Sequence, residues 1–257
     1  MAYKPYYQLA GLPPQAQFLL KDKSAREFGV VEHYETDRAR PSEYLLLEFF
    51  STDPALAKRP VVWVDLAKWA VLKGSGRNLP DDLFEAGLDV YLQELPDGEK
   101  ELRRERARKA RFHEIIRLAE QGYSIAYQEM FPGELSREDF PLVEIEGRGY
   151  LVDDQYTIQP GDFRNQVSLV FVPSQEGKGD GGTSRPEEGQ AALLCNWVFG
   201  DGYEILDSKW DEGLCHHAIK PLVENPELEK IYRERLARMR REGALLGVKP
   251  KPYAPPR

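Results

Sequence analysis

The sequence predicts an α+β fold: an antiparallel β meander with segregated helices, among them a long charged helix and a basic C-terminal helix. Three observations carry this. Period-two alternation of apolar residues is concentrated between residues 141 and 206, the pattern of half-buried strands. Charge-rich segments of helical period lie on either side, at 99–121 and 225–243. Strands and helices therefore fall in blocks rather than alternating as βαβ units. A chain of 257 residues that is 41% hydrophobic and 30% charged has the material for a sizeable core.

In chain order, "EYLLLEFF" at 43–50 reads as a strand. "RPVVWVDLAKWAVLKG" at 59–74 begins as a strand at "VVWV", while Leu66, Trp69, Ala70 and Leu72 equally suit the buried face of a following helix. "NLPDDLFEAGLDVYLQEL" opens with Pro80 and two acids, a helix-start signature. After Asp97-Gly98, "EKELRRERARKARFHEIIRLAEQ" is the longest helical pattern. Leu102, Phe112, Ile115, Ile116 and Ala119 lie along one side, and Gly122 supplies the stop. Its first half is polar nearly all round, so it is expected to project from the body.

"YSIAYQEMF" reads as a strand, "FPGELSREDFPL" as a loop, and "LVEIEGRGYLVDD" as a hairpin about Gly147–Gly149. "QVSLVFVP" and "AALLCNWVFG" are further strands, joined by a Gly- and Ser-rich loop. "NPELEKIYRERLARMRREG" has Asn225 as cap, Pro226 at the first helical position and Gly243 as stop. Its apolar stripe is Leu228, Ile231, Tyr232, Leu236 and Met239; residues 244–257 carry positive charge and little core. Three regions follow: 1–140, an N-terminal α+β region; 141–220, the β-rich section; and 221–257, the C-terminal helix with its basic proline-rich tail. No internal repeat stands out along the chain.

The opening residues lack a basic start followed by an unbroken apolar run, and no later stretch approaches a membrane span, so the expected place is the cytoplasm, with no membrane partner. Two cysteines are too few for a disulfide framework. A net charge of −8 disfavours a surface that binds nucleic acid everywhere, leaving only local basic patches for that role.

One stretch is chemically odd. In "YLVDDQYTIQPGDFRNQVSLVFVP", residues 150–173, Asp154, Tyr156, Thr157, Pro160, Asp162 and Arg164 surround a Pro-Gly turn that leads into an apolar strand. This spacing resembles the cysteine-bearing pattern of a bacterial family of unknown function related to the SEC-C zinc motif. There, Tyr-Cys precedes a Pro turn and a Cys-x-Cys pair. Thr157, Asp162 and Arg164 stand here where that family has cysteines, and a threonine, one carboxylate and a guanidinium cannot hold zinc. The resemblance implies a metal-free structural turn, stapled by hydrogen bonds or by an Asp162–Arg164 ion pair on one face of an extended segment.

Other candidates are weaker. Cys195, Cys215, His216 and His217 form a zinc shell only if the fold gathers them, and three adjacent ligands rarely turn toward one ion. Asp153 and Asp154, near Glu144 and Glu146, read as a solvated sheet face rather than a metal-dependent hydrolase centre. His33 and His113 have no nucleophile elbow beside them, and "KGSGRN" at 73–78 lacks the Lys-Ser/Thr of a phosphate loop. No catalytic residue and no cofactor is expected.

The remaining signal is charge asymmetry. Lys100, Arg104, Arg108 and Arg111 recur at helical spacing, and Arg233, Arg235, Arg238, Arg240 and Arg241 make the C-terminus basic within an acidic chain. The expected function is a non-enzymatic adaptor or scaffold that binds another protein or complex through its β-rich section and these basic residues. Binding of RNA or DNA by the same basic helices is the first alternative, and a carboxylate-dependent metal hydrolase around Asp153 and Asp154 the second.

Overall fold

A computed structural model describes residues 3–21, 27–38, 43–50, 60–72, 88–174 and 191–250. The chain forms two compact units, Met1–His113 and Glu114–Arg257. The sequence-based division at 140 marks the change in strand pattern, whereas the contacts part at 113. Seven helices and two antiparallel sheets among the described residues make the fold α+β.

The first unit comprises β1 (Tyr3–Pro5), α1 (Tyr6–Leu9), β2 (Phe18–Lys21), β3 (Glu27–Glu35), β4 (Tyr44–Phe50), β5 (Val61–Asp65), β6 (Ala70–Val71), α2 (Asp89–Glu94) and α3 (Asp97–Arg111). Its sheet runs β1-β3-β4-β5-β6, with β2 also on β3. Alternation puts Val30, Leu45, Leu47, Phe49, Val62 and Val64 on one face, where they form a core with Leu88, Leu92 and Leu95 and with Ala107 and Ala110 of α3. The region after "VVWV" is a turn and not a helix. Asp65 accepts from the Ala67 and Lys68 amides (2.8 and 2.9 Å), which closes one turn and returns the chain into β6. The Pro80–Asp82 helix start lies outside the described residues.

The second unit contains α4 (His113–Glu120), β7 (Ile125–Ala126), α5 (Tyr127–Met130), β8 (Leu142–Ile145), β9 (Arg148–Tyr156), β10 (Gln166–Pro173), β11 (Leu193–Val198), β12 (Gly202–Ser208), α6 (Glu212–Val223) and α7 (Pro226–Leu246). Its sheet runs β7-β9-β10-β11-β12, with β8 also on β9. This is the order of the first sheet, strand for strand.

The correspondence extends to register. Pro5 pairs with His33 as Ala126 pairs with Gln155, Val30 with Phe49 as Val152 with Phe171, Glu32 with Leu47 as Asp154 with Leu169, and Leu45 with Val64 as Val167 with Trp197. The Leu66 amide donates to Glu43 O and the Phe199 amide to Asn165 O, both at 2.9 Å. In the last helix of each unit, Arg104-Glu105-Arg106 corresponds to Arg233-Glu234-Arg235. The chain is thus one plan built twice. That corrects the reading of a repeat-free sequence, because the two copies share register and polarity pattern but few identical residues.

Each copy is held by a buried carboxylate. Glu32 is fully buried on the core face of β3, yet it accepts from Arg103 Nε (2.7 Å), Arg106 Nη1 (3.2 Å) and the Tyr34 hydroxyl (2.7 Å). Arg106 also lies over the Tyr6 ring, 4.0 Å from its centre. In the second copy Asp154 is fully buried and accepts from Arg235 Nη1 (2.9 Å) and the Tyr156 hydroxyl (2.6 Å), while Arg235 lies over Tyr127 at 4.9 Å. The expectation that α3 projects is therefore overturned: its polar half docks through arginine onto a buried acid.

Four further expectations change. The long pattern 99–121 is two helices that part at Phe112 (φ −102°, ψ 11°), where the two units also divide. "YSIAYQEMF" is a two-residue strand followed by a helical turn, since Tyr127 must turn under Arg235. The hairpin turn lies at Glu146-Gly147, both with positive φ. Gly243 does not stop the C-terminal helix, which runs on to Leu246 and ends on left-handed Gly247.

Gly243 is instead a contact point, where a Cβ would stand 2.8 Å from Ile158 O. Leu246 and Val248 are buried beyond it, and Ile231 is exposed, so the docking stripe is Tyr232, Leu236, Met239, Gly243 and Leu246. Within 244–250, Leu246 and Val248 thus belong to the core.

Two outcomes are expected. Arg235→Met strands the Asp154 carboxylate and should cost about 3–5 kcal/mol in urea unfolding, with part regained in Asp154→Asn/Arg235→Met. A cost below about 1 kcal/mol would show that the ion pair does not hold the unit. A chain ended at Gly243 should lose about 3 kcal/mol or more against one ended at Pro250, because Leu246 and Val248 leave the core; equal melting temperatures would refute this.

Candidate functional site

The basic stripe of α3 is largely engaged within its own unit. Lys100 Nζ donates to Gln93 O (3.2 Å), and Arg104 Nε donates to Leu66 O (3.2 Å) with its guanidinium 5.5 Å from the Trp69 ring centre. Arg108 also interacts within the chain, and Arg111 Nη2 donates to Arg38 O.

The C-terminal set behaves alike. Arg233 pairs with Glu229 (2.6 Å) and covers Phe199, 4.8 Å from its ring centre. Arg238 Nη2 donates to Glu134 Oε1 (2.7 Å) and its Nη1 to the Tyr127 hydroxyl (2.7 Å), while its guanidinium lies 3.9 Å from the Phe131 ring centre. This hydrogen bonding holds the Glu134 carboxyl below its ordinary pKa. Arg240 Nη2 donates to Arg164 O (2.5 Å), whereas Arg241 points into solvent.

Arg240 leads to the turn after β9. Tyr156 is buried on Asp154, and the Thr157 and Ser124 hydroxyls lie 3.5 Å apart. Ile158 is buried against Gly243, and Gln159 Nε2 donates to Ala119 O (2.6 Å). Pro160 and Gly161 (φ 81°) turn the chain. Asp162 then accepts from the Arg164 amide and Nε (3.0 Å each) and from Arg164 Nη2 (2.5 Å). The Arg164 hydrogen bonds hold the Asp162 carboxyl below its ordinary value. The expected Asp162–Arg164 staple is in place. Between its two members Phe163 stands 87% exposed.

The cysteines and histidines part company. Cys195 faces the core from β11, where burial pushes its thiol up to about 12. Cys215 is buried on α6, 3.0 Å from Ser208 Oγ. His216 is exposed, bonded to the Tyr203 hydroxyl and 3.5 Å from Glu212, and His217 is exposed as well. One helix turn thus sends Cys215 inward and the histidines outward. Among the described residues no group of three or more His, Cys, Asp or Glu is placed to hold a metal ion.

Asp153 and Asp154 are not solvated, which corrects the sequence reading. Alternation along β9 sends Asp154 to the core and Asp153 to the other face, so the two do not converge on one ion. Asp153 is nevertheless 4% exposed, contacted only weakly by Gln128 and Gln155 amides (3.4 Å each). Burial first, then the neighbouring Asp154, pushes its carboxyl up to about 7. On the same face Gln155, Ser168, Asn196 and Glu204 form a polar row across four strands, with Ser168 Oγ donating to Asn196 Oδ1 (2.7 Å). The corresponding positions in the first unit carry Val31 for Asp153, Leu46 for Ser168 and Trp63 for Asn196.

Sequence reasoning missed the ties of Glu32 to Arg103 and Arg106 and of Asp154 to Arg235. The available signal was the paired Glu-x-Tyr at 32–34 and Asp-x-Tyr at 154–156, each followed much later by Arg-Glu-Arg. Comparison with protein-family models, curated proteins and solved structures returns no match. No helix among the described residues is long and apolar enough to cross a membrane.

The Asp153 carboxyl sets a pH dependence. Folded, it keeps its proton up to about pH 7, against an ordinary value of 3.8. Between these the folded chain binds more protons than the unfolded one, so this group's contribution to stability falls as pH rises, by at most about 1.4 kcal/mol per pH unit. Asp153→Asn should therefore melt higher than the parent at pH 8 and alike near pH 4. Parallel melting curves at all pH values would exclude a raised pKa.

Proposed function

We propose that the chain is a non-catalytic adaptor whose second unit binds another protein. One observation carries the reading: apart from Arg241, the arginines offered by the sequence for phosphate contact are engaged with this chain's own groups in both copies. A guanidinium fixed this way must break its internal bonds before it can meet a phosphate, which lowers the gain from a polyanion. In the second unit Phe163 and Leu142 are the most exposed large apolar side chains among the described residues. The turn at 156–164 is, in this reading, a metal-free descendant of a zinc knuckle, with the Asp162–Arg164 pair in the place of the ion.

Nucleic-acid binding is the competing reading, and salt separates them. Fluorescence anisotropy with a labelled random RNA 20-mer and a DNA duplex, from about 50 to about 200 mM salt, should give no dissociation constant tighter than about 1 µM at physiological salt. Nanomolar binding that weakens steeply over that range would replace the adaptor by a nucleic-acid-binding protein.

A further inference from the structure

The last strand of the second unit is an open edge. Among the described residues β12 (Gly202–Ser208) pairs with β11 alone, and it is seven residues long where its counterpart in the first unit, β6, has two. None of the seven is buried. In an antiparallel pair only alternate residues bond to the partner strand, so the others along β12 turn their N–H and C=O groups away from the sheet, in position to receive another strand.

Register decides what such a strand would meet. Asn196 pairs with Glu204 and Leu194 with Asp207, because the register slips by one residue at Leu206. Both acids therefore lie on the outer face, and Glu204 ends the polar row that crosses the sheet through Ser168 and Asn196. Neither carboxylate has a partner among the described residues, in a unit where Glu134, Asp154, Asp162 and Glu229 are each paired with an arginine. Tyr203 and Ile205, half-buried, lie on the core side with Trp197 and Cys195.

We infer that β12 receives an extended segment of a partner protein as an added strand, and that basic residues alternate with apolar ones along this segment. This rests on the adaptor reading above. In strand addition the backbone bonds supply affinity, and side chains on alternate faces supply the choice of partner. Residues opposite one another in a strand pair share a face, so basic side chains fall beside Glu204 and Asp207 and apolar ones beside Tyr203 and Ile205. A second copy of β12 suits this edge less. It would bring further acids to the face that carries Glu204 and Asp207, with no base on the strand to answer them. The net charge of −8 likewise favours the approach of a basic segment.

The test titrates the full chain into a fluorescein-labelled peptide, Lys-Val-Lys-Val-Lys-Val-Lys, and follows anisotropy. Its companions are the same peptide with every backbone amide N-methylated, and the chain carrying Glu204→Lys and Asp207→Lys together. Parent and variant should melt alike, since both acids are exposed. The expected result is a dissociation constant below about 1 mM for the plain peptide with the parent, at least about 10-fold weaker binding to the variant, and none by the methylated peptide. Equal affinity for the methylated peptide reduces the contact to charge attraction and overturns strand addition. Equal affinity of the variant places the peptide elsewhere and overturns the edge. No binding of the plain peptide up to about 1 mM overturns the proposed segment, while the adaptor reading falls separately, with nanomolar nucleic-acid binding. A parent dimer by light scattering that the variant abolishes overturns the proposed partner in favour of a second copy.

Discussion

A carboxylate sealed into the core face of a sheet is the constraint from which the rest of this structure follows. An unpaired ion there would cost several kcal/mol, so Glu32 and Asp154 each require a cation brought from outside the sheet. In both copies it comes from the last helix of the unit, whose arginine reaches the acid. The tyrosine two residues on, on the same face, donates its hydroxyl to the same carboxylate. An aromatic ring at the start of a short helix, Tyr6 or Tyr127, lies under the guanidinium. Helix position, helix rotation and the path of the chain after the first strand are fixed together.

That arrangement also explains where the positive charge goes. Helices rich in arginine look like external binding faces, but here the guanidinium groups serve as internal ties: to the sheet through Arg103, Arg106 and Arg235, and to the following loops through Arg111 and Arg240. The long arginine stem packs along apolar surface while its head reaches a partner, so a polar helix face can still be a packed one.

The two copies differ where function can differ. The inner faces keep the same apolar register, Leu45-x-Leu-x-Phe49 against Val167-x-Leu-x-Phe171, because each must fill a core. The outer faces diverge. The first carries Val31, Leu46 and Trp63 where the second carries Asp153, Ser168 and Asn196, and the second adds the stapled Phe163.

Several elements were legible because their signals are local. Asn225 caps α7 through its own neighbours' amides, Pro226 occupies the first turn, and the strands of 141–206 announce themselves by alternation. The Asp162–Arg164 pair spans two residues and needed no long-range information. What stayed hidden depends on separation: Glu32 meets Arg103 across 71 positions and Asp154 meets Arg235 across 81. No residue type at either end distinguishes a solvated arginine from a buried tie, and Gly243 reads as a helix stop until Ile158 is placed against it. The sequence by itself determined the fold class, the Asn225 cap and the strands of 141–206, since these follow from local chemistry. Only the tertiary structure decided that Arg103, Arg106 and Arg235 reach inward to buried acids and that one plan occurs twice, because both are properties of which distant residues meet.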